Sequence, residues 1–176
     1  MYGMKRLTYL AVFVVLAWCQ NHSFDSADYF EINKYLGHWY EIARIPQLHE
    51  PACMCSQTNY SLNANGSVRI LDACKLRPTD TDMDIVEGIF TMKSEKPSKF
   101  LVSFPSHNYT GEYWVLKTDY KVYSVVADPN RTSLWFLSRT PDLADRVYND
   151  LYDFAKARNF AVEKLLNATQ NCGSFV

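Results

Sequence analysis

Eight short segments rich in β-branched and aromatic residues follow one another between residues 37 and 139, with no helical period among them. They read GHWYEIARI, CSQTNYSL, SVRILDACKL, DIVEGIFTM, KFLVSF, YWVLKTD, KVYSVVAD and SLWFLSR, and Asn-Gly, Pro-Thr-Asp, Lys-Pro-Ser and Asp-Pro-Asn-Arg break them as turn signals. Strands this short and this closely spaced predict an antiparallel meander. An open sheet of that size carries two bare edges, and closure removes both, so the expected fold is all-β: an eight-stranded antiparallel up-and-down β-barrel over about residues 35–139. Such a barrel either holds one small ligand or is filled by its own side chains.

The period then changes. In TPDLADRVYNDLYDFAKARNF the apolar residues Leu143, Val147, Leu151, Phe154 and Ala155 recur at helical spacing, with Thr140 placed to cap and Pro141 in the first turn. One C-terminal amphipathic α-helix is predicted over about 141–158. Its other face mixes Asp145, Asp150 and Asp153 with few bases, which favours packing on the barrel wall over a membrane surface. A tail reaching Cys172 can return to the barrel.

The first nineteen residues read as a segment apart. Lys5 and Arg6 precede LTYLAVFVVLAWC, a charged start and a short apolar run that fit a secretory signal peptide and are too short for a membrane span. Cleavage after Cys19 leaves a single domain over residues 20–176, and the formal charge becomes 16 − 19 = −3 from the 18 basic and 19 acidic residues of the whole chain. Trp18 stands where a lipidated cysteine needs a small residue, so a lipid anchor is not expected. At 48% hydrophobic and 15% aromatic residues the domain can bury one sizeable core, and without a basic block it has no electrostatic footprint for nucleic acid. Secretion agrees with six Asn-x-Ser/Thr triplets, at Asn21, Asn59, Asn65, Asn108, Asn130 and Asn167, as candidate glycosylation sites. Asn65-Gly66 is also a hairpin turn in its own right.

Four cysteines remain after Cys19: Cys53, Cys55, Cys74 and Cys172. In an oxidising compartment an even number argues for two disulfides, with three pairings that the residues alone leave open. A soft metal site built from Cys53, Cys55 and His49 is the alternative; two cysteines on one strand face reaching two different partners is simpler. No cofactor, no metal and no catalytic residue is expected. The four histidines lie in unrelated segments, and neither a Ser/His/Asp order nor a Gly-rich phosphate loop occurs.

Gly37 and Trp39, then TDYKVY beginning at Thr118, Asp119 and Tyr120, then LWFLSR ending at Arg139, stand in order before a single helix. This arrangement resembles the three motifs of the lipocalin family. FEINKYLGHWYEIARIP, NYSLNANG and FLSRTPDL are similar to its apolipoprotein D-like branch and to bacterial outer-membrane lipocalins. The resemblance implies that Trp39 closes the blunt end of the barrel with Arg139 across its indole, and that Gly37 leaves room for that contact. It implies a pocket lined by Tyr60, Ile70, Asp72 and Trp135; strand alternation from Arg139 adds Leu137. It also implies a bridge from Cys55 to Cys172, leaving Cys53 for Cys74. Alternation from Ile70 and Asp72 would point Cys74 into the barrel, so that second pairing needs a bulge and a free thiol is the other outcome.

The function this implies is binding and transport of a small hydrophobic molecule of the fatty acid, sterol or pigment class, by a secreted glycoprotein without stable membrane insertion. Two readings stand beside it: an isomerase using a pocket thiol at Cys74, and a structural or partner-binding glycoprotein with a filled barrel.

Overall fold

The structure, a computed structural model, describes residues 24–47, 53–77, 80–93, 96–170 and 172. The predicted signal segment, Asn21 and His49 lie outside them. Eight antiparallel strands form the barrel: β1 (Gly37–Arg44), β2 (Met54–Leu62), β3 (Val68–Lys75), β4 (Asp84–Met92), β5 (Lys99–Phe104), β6 (Tyr109–Thr118), β7 (Tyr123–Ala127) and β8 (Leu134–Ser138). Each pairs with its neighbour in sequence, and β1 pairs with both β2 and β8, which closes the cylinder. All eight predicted strands are present, with β6 starting four residues before the predicted YWVLKTD.

Two elements, the one-turn helix α1 (Ile32–Tyr35) and the two-residue strand β9 (Leu166–Asn167), were not legible. The helix sits at one end of the barrel. The strand adds to β1 at Ala43 and Arg44, beyond the stretch Gly37–Tyr40 that β2 takes. The tail thus fills the part of the β1 edge that β2 leaves. Ala168 donates to the Ile42 carbonyl, Cys55 donates to the Thr169 carbonyl, and the Gln170 amide donates to the carbonyls of Glu41 and Ser56.

Helix α2 (Asp145–Lys156) is shorter than the predicted 141–158. Thr140 does not cap it; its hydroxyl donates to the Asp142 carbonyl at 2.6 Å, holding residues 140–142 in a turn, and Ala144 is the N-cap residue. Leu151 and Ala155 are fully buried against Ala43, Leu116, Val125, Leu134 and Phe136 on the outside of the barrel, with Leu143, Val147 and Phe154 packed at the margin. The apolar stripe therefore covers barrel wall. No described helix is long and apolar enough to cross a membrane.

Inside the barrel a second apolar cluster runs from Phe30, Tyr35 and Trp39 through Tyr60, Ile70, Phe90 and Phe100 to Val102 and Leu137. Strand alternation separates the two clusters, one on each face of the same sheet.

Candidate ligand cavity and its closed end

The blunt end is built around one guanidinium. Arg139 lies over the Trp39 ring with its central carbon 3.7 Å from the centroid, a stacked cation–π contact. Its nitrogens donate to five carbonyls, those of Lys34, Tyr35, Leu36, His38 and Tyr120. Trp39 is fully buried and donates its indole N–H to the Tyr35 carbonyl at 2.8 Å. One side chain thus ties α1, the start of β1 and the β6–β7 turn to the end of β8. The planar fork of arginine suits this task, since a single ammonium could not reach carbonyls on three segments.

Thr118, Asp119 and Tyr120 shape the turn that receives Arg139. The Asp119 carboxylate accepts from the backbone N–H groups of Lys121, Val122 and Tyr123. Thr118 donates to the Tyr123 carbonyl and accepts from the Tyr120 N–H. Tyr120 adopts φ +66°, which aims its carbonyl at Arg139. Gly37 is needed here for a different reason from the one its neighbours suggest. A Cβ at Gly37 would stand an ordinary 3.5 Å from Arg139, but φ is +91°, which residues with a side chain rarely adopt. Backbone conformation, more than space, demands the glycine.

Above this end the barrel encloses a cavity of about 400 Å³. Tyr60, Ile70, Asp72, Trp135 and Leu137 all line it, brought together from β2, β3 and β8. Its inner end carries a chain of hydroxyls that the sequence did not reveal: Tyr60 to Tyr113 at 2.9 Å, Tyr113 to Tyr35 at 3.0 Å, and Tyr35 to Ser124 at 3.0 Å. Burial pushes the Tyr35 phenol up to about 12 and those of Tyr60 and Tyr113 well above the ordinary range, so all three stay protonated. Phe90, Val102 and Phe104 complete the apolar wall. Gly88 makes room for Phe104, since a Cβ there would come within 2.6 Å of its ring.

A buried ion pair was also missed. Glu41 and Arg44 both line the cavity and meet at 2.5 Å. Simple alternation from Trp39 puts Glu41 inside and Arg44 outside. A bulge between Glu41 and Ala43 shifts the register, so Ala43 turns to α2 and Arg44 turns inward. The Glu41 carboxyl is held above its usual range by burial, against the pull of Arg44.

Asp72 is different. Its carboxylate accepts the Thr58 hydroxyl at 2.6 Å, and among the described residues no cation stands against it. Burial pushes it up to about 6 from 3.8; the Thr58 bond works against that shift and the Glu41 charge adds to it. The folded state therefore holds the proton more readily than the unfolded chain. Its cost to stability is absent below about pH 4, grows as pH rises towards 6, and is complete above that, at about 1 to 3 kcal/mol. Asp72→Asn should accordingly stabilise the ligand-free protein at pH 7 by that amount and change little at pH 4, read by urea unfolding at both values. A variant less stable than the parent at pH 7 would show that the carboxylate is not strained.

The cysteines sort by face. Cys53 is bonded to Cys74 and both line the cavity near its mouth; Cys55 is bonded to Cys172 and is buried on the outer side beneath the tail. The bulge lies in β2 between Met54 and Gln57, with Cys55 at φ +54°. It lets cysteines two apart serve opposite faces. No described set of three or more His, Cys, Asp or Glu side chains is placed to hold a metal ion, and both cysteines of the soft-metal alternative are taken up in disulfides. Asn59, Asn65, Asn108, Asn130 and Asn167 are all exposed.

A family model described as a lipocalin-like domain matches residues 30–170. Apolipoprotein D of Oryctolagus cuniculus is 36% identical over 83% of this chain and 80% of its own length, and that of Mus musculus 33% identical over 84% and 81%. The outer membrane lipoprotein Blc of Vibrio cholerae is 28% identical over 80% of this chain and 83% of its own. Among solved structures, lobster apocrustacyanin A1 superposes with a TM-score of 0.66 at 20% identity, covering 81% of this chain and 79% of its own. Insecticyanin from Manduca sexta gives 0.64 at 20% identity, over 82% of each chain. With the matched segment spanning the closed barrel, its Arg139–Trp39 end and the tail to Gln170, the chain belongs to the lipocalin family.

Proposed function

We propose that this protein is a secreted, glycosylated carrier that captures one small hydrophobic molecule inside the barrel. The observation that carries the reading is the cavity itself. At about 400 Å³ it lies within the roughly 300–1,000 Å³ of small-molecule sites, and its walls are aromatic and aliphatic with few polar groups. Capture is driven by apolar surface leaving water, at about 25 cal/mol per Å². Membership of a family that includes apolipoprotein D, crustacyanin and insecticyanin supports a binding role over a catalytic one. The pocket-thiol isomerase loses its nucleophile, because Cys74 is bonded to Cys53. Secretion and glycosylation rest on the signal-like N-terminus, two disulfides and exposed sequons.

Trp135 tests the reading. It lines the cavity, whereas Trp39 is sealed beneath Arg139 and Trp114 stacks on Phe24 away from it. Titrating an apolar ligand into delipidated protein should change tryptophan fluorescence saturably, with Trp135→Phe losing most of the signal and Trp39→Phe little. Trp135→Ala should weaken binding by about 1 to 3 kcal/mol, since a large aromatic wall is removed. If a broad panel of apolar ligands gives no saturable change and no rise in melting temperature, the filled-barrel or partner-binding reading replaces the carrier.

A further inference from the structure

The polar groups of the cavity are not balanced. Arg44 is the only lysine or arginine side chain among its described lining residues, and it is already engaged by Glu41. Glu112, also at the wall, is bound by Lys93 and by the Trp114 indole N–H. That leaves two acids: Asp84, exposed at the start of β4, and the half-buried Asp72, whose Oδ1 accepts from Thr58 and whose Oδ2 has no described donor. Glu41 is close enough to add its own negative charge to the site.

The place of Asp72 along β3 fixes how a ligand would lie. Ile70 is two residues deeper, and Cys74 is two residues nearer the mouth. An elongated amphiphile entering tail first would put its hydrocarbon between Tyr60, Phe90, Tyr113 and Leu137 and leave its polar end level with Asp72. A carboxylate head would there face two acids in a low-dielectric wall. Recruiting Arg44 would not help, because Glu41 is 7% exposed and would be left as an unpaired buried charge. A hydroxyl would donate one hydrogen bond to Oδ2. A protonated amine would donate a charge-assisted one and neutralise the carboxylate as well.

We infer that the cavity selects amphiphiles whose polar end donates hydrogen bonds to Asp72, a protonated primary amine ahead of an alcohol, and discriminates against carboxylates. The inference rests on the carrier reading and narrows it. It also accounts for an otherwise costly residue: a half-buried acid without a described cation is retained where a ligand supplies the partner.

Three probes of one chain length test it: dodecylamine, 1-dodecanol and dodecanoate, each titrated into the delipidated full chain at pH 7.4 and read by Trp135 fluorescence. The amine should bind about tenfold more tightly than the carboxylate, with the alcohol between them. Asp72→Asn should cost the amine about tenfold, cost the alcohol far less because an amide oxygen still accepts from a hydroxyl, and strengthen dodecanoate. The melting temperature of the variant separates a binding effect from misfolding. A carboxylate that binds the parent as tightly as the amine, or an amine-to-carboxylate ratio unchanged by Asp72→Asn, overturns the selectivity and leaves the carrier standing. Absence of saturable binding by all three overturns both.

Discussion

Replacing Cys55 and Cys172 together by serine should lower the unfolding free energy by about 4 to 5 kcal/mol, the largest single effect expected in this chain. The bridge spans a sequence separation of 117 residues, so its loss frees nearly the whole barrel in the unfolded state. The native state suffers as well, because the same tail donates to β1 and β2 through Ala168 and Gln170. Removing Cys53 and Cys74 in the same way should cost less, about 3 kcal/mol, because that bridge spans only 21 residues. Equilibrium urea unfolding of the two double variants, without reductant, gives both numbers. A loss below about 1 kcal/mol for the longer bridge would contradict its proposed role, and recovery of a Cys55–Cys74 peptide from unreduced digests would overturn the pairing itself.

Arg139→Ala should destabilise the fold by about 3 kcal/mol while leaving ligand affinity per folded molecule unchanged. Five carbonyls on three segments lose their donor at once, and the Trp39 indole loses its cover. Water can reach part of this end, which keeps the loss below the sum of five buried orphans. Arg139→Lys should recover little of it, since a single ammonium cannot span the same carbonyls. Arg139 does not line the cavity, so denaturation midpoint and binding should separate cleanly. A variant that keeps its stability and loses its ligand would mean that the roles of the two ends have been exchanged.

The eight strands were legible because each is rich in β-branched and aromatic residues and recognisable turn chemistry breaks the run between them. The elements that were not are those too short to have a period: α1 with four residues and β9 with two. The start of α2 misled for a local reason, since the Thr140 hydroxyl is spent on Asp142 two residues on. At the cavity, alternation from Arg139 reaches Leu137 and Trp135, and alternation from Trp39 reaches Glu41. It fails at Arg44 and at Cys53, and both failures are bulges, in β1 and β2 respectively. A bulge is one residue of irregular backbone, set by what packs on either side, and periodicity cannot register it. The distinctive property of Asp72, a carboxylate with no described cation, depends on where every other charged side chain turns. No single segment encodes that.

The way the tail completes the barrel fixes an order of assembly during synthesis. Residues 166–170 fill the β1 edge beside Glu41 and Ser56, yet they follow every barrel strand in the chain. A nascent polypeptide that has delivered β8 already carries the thiols of Cys53, Cys55 and Cys74 and not yet that of Cys172. Within the barrel, oxidation at that stage has two candidate partners for Cys74, Cys53 and Cys55. The β2 bulge decides between them in advance, because it turns Cys53 towards Cys74 and leaves Cys55 on the outer surface to wait for Cys172. An irregularity in one strand thus acts as a proofreading device: it commits the early bridge correctly and reserves one thiol for a residue the ribosome has still to supply.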